Sequence, residues 1–287
     1  MTLLPLAITA TTTSLALAAS ASSPSAEISA NQGTVTYGKH VRLAGTVPGL
    51  SSADVQIAFQ RDGADTWRTV HRTSTDPSGS YEARVKPQTS GLYRAHPAGG
   101  QPSEPVSVRV RSVTQLRLKR HVVVGHRVKL GGRVLPGSSG REVKVNLPGS
   151  DERARTRAGG RFKEAWRPND TGRAKVRAVA AGDSLAAGSS SRARRVTVYR
   201  PASASWYGPG LYGNRTACGG TLSPSTLGVA HRSMPCGTKL TFRHRGHSVR
   251  AKVIDRGPFV AGREFDLTAA LKNRLHFGST GTVLVSK

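Results

Sequence analysis

Ala204-Ser-Trp-Tyr-Gly-Pro-Gly210, Arg215-Thr-Ala-Cys-Gly-Gly220, Ala230-His-Arg-Ser-Met-Pro-Cys-Gly-Thr238 and Val253-Ile-Asp-Arg-Gly-Pro-Phe259 follow one another closely in the last third of the chain. Each joins a glycine turn to an aromatic, thiol or charged side chain. Gly208, Gly210, Gly213, Gly219 and Gly220 read as turn residues that need positive φ. The surrounding segments are short strands: Lys239–Phe242, Ser248–Ile254 and Gly281–Val285. One helix is legible, with Asp266 as N-cap, Leu267 to Leu275 as its body and basic residues in its last turn. A second short helix fits Thr226–Ala230. About 85 residues with six or so strands suffice for a small barrel, entered at residue 203 through a very short linker at Arg200-Pro201.

Upstream the chain repeats itself. Gly38-Lys-His-Val-Arg-Leu-Ala-Gly-Thr-Val47 matches Gly125-His-Arg-Val-Lys-Leu-Gly-Gly-Arg-Val134, and Pro-Gly follows both. Val55–Phe59 answers Val143–Leu147, and each unit closes on alternating valines, Val106 to Val110 and Val196 to Val198. A period near ~87 residues of short strands and Gly/Pro turns predicts two immunoglobulin-like β-sandwiches, 27–111 and 112–199. Neither has a cysteine, and Trp67 and Trp166 are expected as core aromatics. Residues 184–195 read as a flexible loop. The fold class is all-β: two sandwiches, then a six-stranded barrel with one or two short helices.

The chain has 287 residues and a formal charge of +27. Lys and Arg against Asp and Glu count 10 to 7 over residues 22–111, 21 to 6 over 112–200 and 12 to 3 over 201–287. A basic middle domain of this kind seeks anionic wall polymers, peptidoglycan carboxylates or anionic lipid. Residues 1–21 are apolar and small, with Ala19-Ser20-Ala21 as a cleavage site, and read as a signal peptide without a basic start. That address, secreted or at the cell wall, argues against nucleic acid as partner. No later run is long and apolar enough to span a membrane. Cys218 and Cys236, the two cysteines, are expected to form one disulfide. Without a Cys-x-x-Cys, and with His231 alone between them, no metal site or cofactor is expected.

Chemistry on a polysaccharide needs a proton donor for the leaving oxygen. Residues 201–287 offer three carboxylates: Asp255, Glu264 and Asp266. Asp255 ends an apolar strand before a Gly-Pro turn, which is either a rim position for chemistry or a turn cap paired with Arg256. Asp266 is the helix N-cap and a second candidate. Glu264, beside Arg263, reads as a surface ion pair. His231 is either a structural residue or a partner of Asp255 or of a sugar hydroxyl. Trp206, Tyr207, Tyr212 and Thr216 line a groove, with Arg256 at its edge, or the rings of Trp206 and Tyr207 pack inward.

The four clusters, in this order and spacing, resemble the double-psi β-barrel of the rare lipoprotein A family of septal ring lytic transglycosylases. The resemblance covers residues ~203–287. It implies cleavage of peptidoglycan glycan strands, with the Asp of Asp-Arg-Gly-Pro-Phe at Asp255 and the His of Ala-His at His231. Related barrels of expansins and other lytic transglycosylases hold a second Asp eleven residues on, which falls on Asp266. The resemblance implies a lytic mechanism in which the substrate's own MurNAc C6 hydroxyl attacks, so one acid suffices. An expansin-like barrel that binds and loosens the wall without cutting uses the same residues as ligands. The family's lipobox cysteine and C-terminal sugar-binding repeat have no counterpart in this sequence.

Overall fold

A computed structural model describes residues 25–287; the segment 1–21 read as a signal peptide lies outside the described residues. The first sandwich begins with β1 (Ser29–Ala30), β2 (Thr34–Thr36), β3 (Val41–Thr46) and β4 (Asp54–Arg61). It continues with β5 (Arg68–Ser74), β6 (Ser80–Val85), β7 (Gly91–Pro97) and β8 (Val106–Arg111). One sheet runs β1-β3-β6 and the other β2-β8-β7-β4-β5. Period-two alternation puts Val41, Leu43, Val55, Ile57, Val108 and Val110 into a dry core between them. Trp67 departs from expectation: it is only half-buried, outside that core, with the Arg94 guanidinium 4.2 Å over its ring.

The second sandwich repeats the plan. It uses β9 (Val113–Arg117), β10 (His121–Val123), β11 (Val128–Leu135), β12 (Glu142–Leu147) and β13 (Ser150–Arg155). After a 3-10 turn at Ala158–Gly160 come β14 (Arg161–Trp166), β15 (Gly172–Ala180) and β16 (Ser189–Ser190). The sheet β14-β11-β9 packs on β13-β12-β15 and the start of β17 (Arg194–Tyr207). Leu130, Phe162, Trp166, Val145 and Val176 fill its core.

Two expected joints are instead packed and hydrogen-bonded. The segment read as a flexible loop crosses into the first sandwich: Ala186 is buried in that core, Ser90 N donates to Leu185 O (2.8 Å), and Ala187 N donates to Val110 O (2.8 Å). Asp183 anchors the segment by accepting from the buried Arg141 side chain and from Ser138. Burial opposes its charge, yet these bonds and two backbone donors hold its pKa below the ordinary range. The linker expected at Arg200-Pro201 is also absent. β17 runs unbroken for 14 residues, pairing with β15 and β10 in the sandwich and then with two strands of the barrel.

The barrel adds β18 (Gly228–Ala230), β19 (Lys239–His244), β20 (His247–Asp255), β21 (Phe265–Thr268), α1 (Ala269–Leu275) and β22 (Gly281–Ser286). Its order, β17-β21-β18-β20-β19-β22 and back to β17, closes the sheet. Two pairings are parallel, β17 with β21 and β18 with β20; the other four are antiparallel. Closure leaves no free edge and buries Val229, Phe242, Val253, Phe265, Leu267 and Val283.

The helix expected at Thr226–Ala230 is instead β18, because this segment threads the barrel between two strands. Gly228 permits it: a Cβ there would lie 2.3 Å from the Ile254 side chain. The cap of α1 also differs. Thr268, not Asp266, is the N-cap and accepts from Leu271 N, while Asp266 still lies in β21. The strand outruns the sequence pattern because Ser205 and Ala230 pair with Asp266 on both sides.

Candidate active site

The C-terminal ends of β18 and β20 and the start of the antiparallel β21 bring the two aspartates together. Ala230 is the register partner of Asp255 on one side and of Asp266 on the other. The two residues therefore flank one central strand, their backbones about twice the ~4.8 Å strand spacing apart. Sequence spacing alone does not say this, since eleven residues of loop and strand separate them.

Their environments differ. Asp266 is half-buried, and burial raises its pKa; the Ser205 hydroxyl, donating at 2.7 Å, and Arg263 oppose the shift without cancelling it. Twelve Lys and Arg in residues 201–287 favour ionised carboxylates, yet Arg263 is the one cation that acts measurably on Asp266, and burial outweighs it. Asp255 accepts from two backbone donors on one oxygen, Ala217 N (2.8 Å) and Arg256 N (2.9 Å). These fix its carboxylate at the rim.

Tyr207, at the end of β17, faces both. Its hydroxyl is buried and lies against the Asp255 carboxylate without reaching full hydrogen-bond geometry, so it has no completed partner. Burial and the charges of Asp255 and Asp266 push its pKa up, which keeps it a donor. A buried donor left open beside two carboxylates is what a bound polar ligand satisfies.

His231 takes a role the sequence left open. Its ring does not hydrogen-bond Asp255; the contact is through the backbone, His231 N to Asp255 O (3.1 Å). Nδ1 accepts from Ser233 N (3.1 Å) and Met234 N (3.0 Å), so the neutral ring carries its proton on Nε2. Burial lowers its pKa, with Arg200, Arg232 and Arg256 acting the same way against Glu264. Nε2 stands 3.9 Å from Glu264 Oε1. Glu264 is thus not the partner of Arg263: it takes a forked pair of bonds from Arg200 of β17 and faces His231. Sequence reading missed this link because Arg200 and Glu264 meet only when the barrel closes.

The other candidates separate into supports and surface. Arg256 donates to His231 O (3.3 Å), Met234 O (3.0 Å) and Cys236 Sγ (3.3 Å), so its guanidinium braces the 231–236 loop. The Thr216 hydroxyl is buried and donates to Gly219 O (2.7 Å), closing the turn that presents Ala217 N to Asp255. Cys218 and Cys236 are disulfide-bonded with their Cα atoms 5.6 Å apart. The bridge ties that turn to the loop after His231. Trp206 packs at the core margin with Lys272 Nζ 4.1 Å over its ring. Tyr212 is 37% exposed, its hydroxyl resting over Gly208, where a Cβ would lie 2.7 Å away. Phe259, 83% exposed after the Asp255 turn, is an apolar rim residue that the site assignment had passed over. Among the described residues no three His, Cys, Asp or Glu gather to hold a metal, and no helix is long and apolar enough to cross a membrane.

Comparison with known proteins supports the barrel. A family model described as lytic transglycolase matches residues 200–286. The probable endolytic peptidoglycan transglycosylase RlpA of Synechocystis sp. is 45% identical over 80 residues, 27% of this chain and 25% of that protein. The endolytic peptidoglycan transglycosylase RlpA of Campylobacter jejuni is 38% identical over 84 residues, 29% of this chain and 30% of that protein. The Pseudomonas aeruginosa protein of the same name is 38% identical over 84 residues, 29% and 25% respectively. The match therefore spans about a quarter to a third of these relatives. Among solved structures, the D0-D1 domain of intimin covers 59% of this chain at 17% identity and TM-score 0.24, too loose a likeness to argue from.

Proposed function

We propose, from a C-terminal domain that is a double-psi β-barrel of the rare lipoprotein A family, that this chain is a secreted lytic transglycosylase of peptidoglycan. The observation that carries the reading is the pair Asp255 and Asp266 flanking Ala230, one carboxylate ligated at the rim and the other shielded and raised in pKa. Burial that disfavours the charged form makes Asp266 the better placed of the two carboxyls to carry a proton and deliver it.

In this mechanism the MurNAc–GlcNAc linkage lies across the rim, against Tyr212 and the exposed Phe259. Asp266 protonates the departing glycosidic oxygen as the C1–O4 bond breaks. The MurNAc C6 hydroxyl closes on C1, forming the 1,6-anhydro ring, and its proton passes to the Asp255 carboxylate. The Tyr207 hydroxyl donates to a substrate oxygen between them. No water enters the bond change, which suits a domain with so few carboxylates. His231, Arg256, Thr216 and the disulfide act on geometry: they hold the two loops from which Asp255 takes its donors.

Digestion of purified walls, read by mass spectrometry, tests the reading. Fragments should end in anhydro sugars, lighter by one water than hydrolytic products. Reducing ends that have gained water would reject the lytic mechanism. The binding-only, expansin-like reading draws on the exposed apolar rim of Leu211, Phe259 and Val260. Tight wall binding with no soluble product, from the disulfide-intact chain, would favour it.

A further inference from the structure

The outward face of the β9-β11-β14 sheet concentrates unpaired charge. Alternation sends Leu116, Leu130 and Phe162 inward and leaves Arg117, Lys129, Arg133, Arg161 and Lys163 outward, all exposed. Register sets Arg117 and Lys163 on either side of Gly131, and Arg133 directly opposite Arg161. Like charges directly across a sheet oppose folding, so stability does not explain the arrangement. None of the five makes an ion pair with a described carboxylate, whereas the opposite sheet interleaves Lys144 with Asp151 and Arg153 with Glu142. Arg133 is pre-set, its Nε donating to Gly159 O (2.8 Å).

The face is also concave. A depression of about 700 Å³ lies over Gly131, which puts no side chain between Arg117 and Lys163 on this face. Lys129 joins it to a second depression, about 470 Å³, lined by Lys119, His121, His126 and Arg127. The barrel's Arg243 is near enough to act on His121 there. The two form one cationic trough leading toward the barrel.

We propose that this trough docks a linear phosphodiester polymer of the cell wall. The cations repeat at ~5 Å across strands and ~7 Å along them, which calls for an anion repeated in the polymer's own backbone, not scattered on side branches. Arginine forks match phosphate oxygens two at a time. No exposed Phe, Tyr or Trp stands on the face, so it lacks the aromatic platform on which single-stranded nucleic acid usually stacks. The inference stands whether or not the barrel cuts.

The test uses the full chain and three probes of matched length: poly(glycerol phosphate), polyglutamate and a single-stranded oligonucleotide. The triple variant R117Q/R161Q/K163Q is compared with R173Q/K175Q/R177Q, which removes equal charge from exposed positions on the opposite sheet. Expected is a loss of poly(glycerol phosphate) affinity of tenfold or more in the trough variant and under threefold in the control. The slope of log affinity against log salt should fall by about two to three in the trough variant alone. Equal losses in both triples, or no binding by the parent chain, would overturn the proposal. Polyglutamate or oligonucleotide bound as tightly as poly(glycerol phosphate) would also overturn it. Cutting of short soluble strands is read alongside: its absence in every form would count against the transglycosylase reading alone.

Discussion

The barrel rim and the outer face of the second sandwich are both polar, and they are built by opposite means. At the rim nearly every polar group has a named partner: Asp255 two backbone donors, His231 two more, Glu264 the Arg200 fork, Arg256 two carbonyls and a sulfur. On the β9-β11-β14 face five cations stand in water without a carboxylate between them. The first arrangement works at hydrogen-bond range, where salt screens little. The second works over a Debye length, about 8 Å at physiological ionic strength, and salt weakens it. Fixed partners suit chemistry, which needs atoms held to fractions of an ångström; loose charge suits adsorption to an irregular mesh.

The largest effect should come from removing the shielded acid. Asp266→Asn should lower product release by about 10²–10⁴-fold, measured as anhydro-ended fragments per hour. Ser205 can still donate to the amide oxygen, so the fold should survive. A variant retaining more than a tenth of the activity would take the proton donor away from Asp266 and leave Asp255 as the candidate.

Next is the brace. Replacing Cys218 and Cys236 together with serine should cost about 3 kcal/mol of barrel stability in the chain-entropy model, seen as a lower midpoint in urea. Activity should fall further than stability alone explains, because the Ala217 donor to Asp255 loses its anchor. If activity at a temperature where the variant is fully folded equals the parent's, the rim does not depend on that tether.

A smaller loss, about tenfold, is expected for Tyr207→Phe, the cost of one donor to substrate. It should appear in the rate and leave wall adsorption unchanged. Adsorption dropping with it would mean that the rim binds walls as well as acting on them, which would blur the contrast between the two surfaces.

The smallest effects should be in the pH dependence of stability. The Asp266 pKa is raised by burial, so the unfolded chain loses its proton first, near pH 3.9, and stability declines as pH climbs from there through the folded value. Asp266→Asn should therefore melt higher than the parent at neutral pH, with the gap closing below pH ~4. The His231 pKa is lowered, first by burial, which has the opposite consequence. Its contribution is present above the unfolded value near 6.5 and declines as pH falls below that. Melting curves from pH 3 to 8 check both; a variant that melts below the parent at pH 7 would reverse the sign given for Asp266.

Much of this was legible because strands and turns write themselves locally. The repeat Gly38–Val47 and Gly125–Val134 showed two sandwiches, and alternation at Val41, Leu43, Val128 and Leu130 told which side faces in. Boundaries failed where neighbours override local signals. Gly228-Val-Ala230 reads locally as either a buried strand or the end of a short helix, and it is a strand because Leu267 and Val253 lie on either side of Val229. Asp266 looked like a cap because it precedes a helical run, yet cross-strand pairing carries it two residues deeper into β21. Residues 184–195 looked like a free loop by composition, but small side chains such as Ala186 are also what fits a gap in a neighbouring core.

For the site, the sequence by itself determined the list of candidates: residues 201–287 hold three carboxylates and two cysteines, the cysteines made one disulfide the simplest pairing, and the motif resemblance singled out Asp255 and Asp266. The charge of the middle domain was likewise a matter of composition. Only the tertiary structure decided what each group does. Closing the barrel set both aspartates beside Ala230, gave Asp255 two backbone donors and Asp266 the Ser205 hydroxyl, turned His231 toward Glu264 and gave Glu264 to Arg200. The physical reason is that ionisation and tautomer depend on burial and on neighbours distant in sequence, and those distances do not exist until the sheet closes.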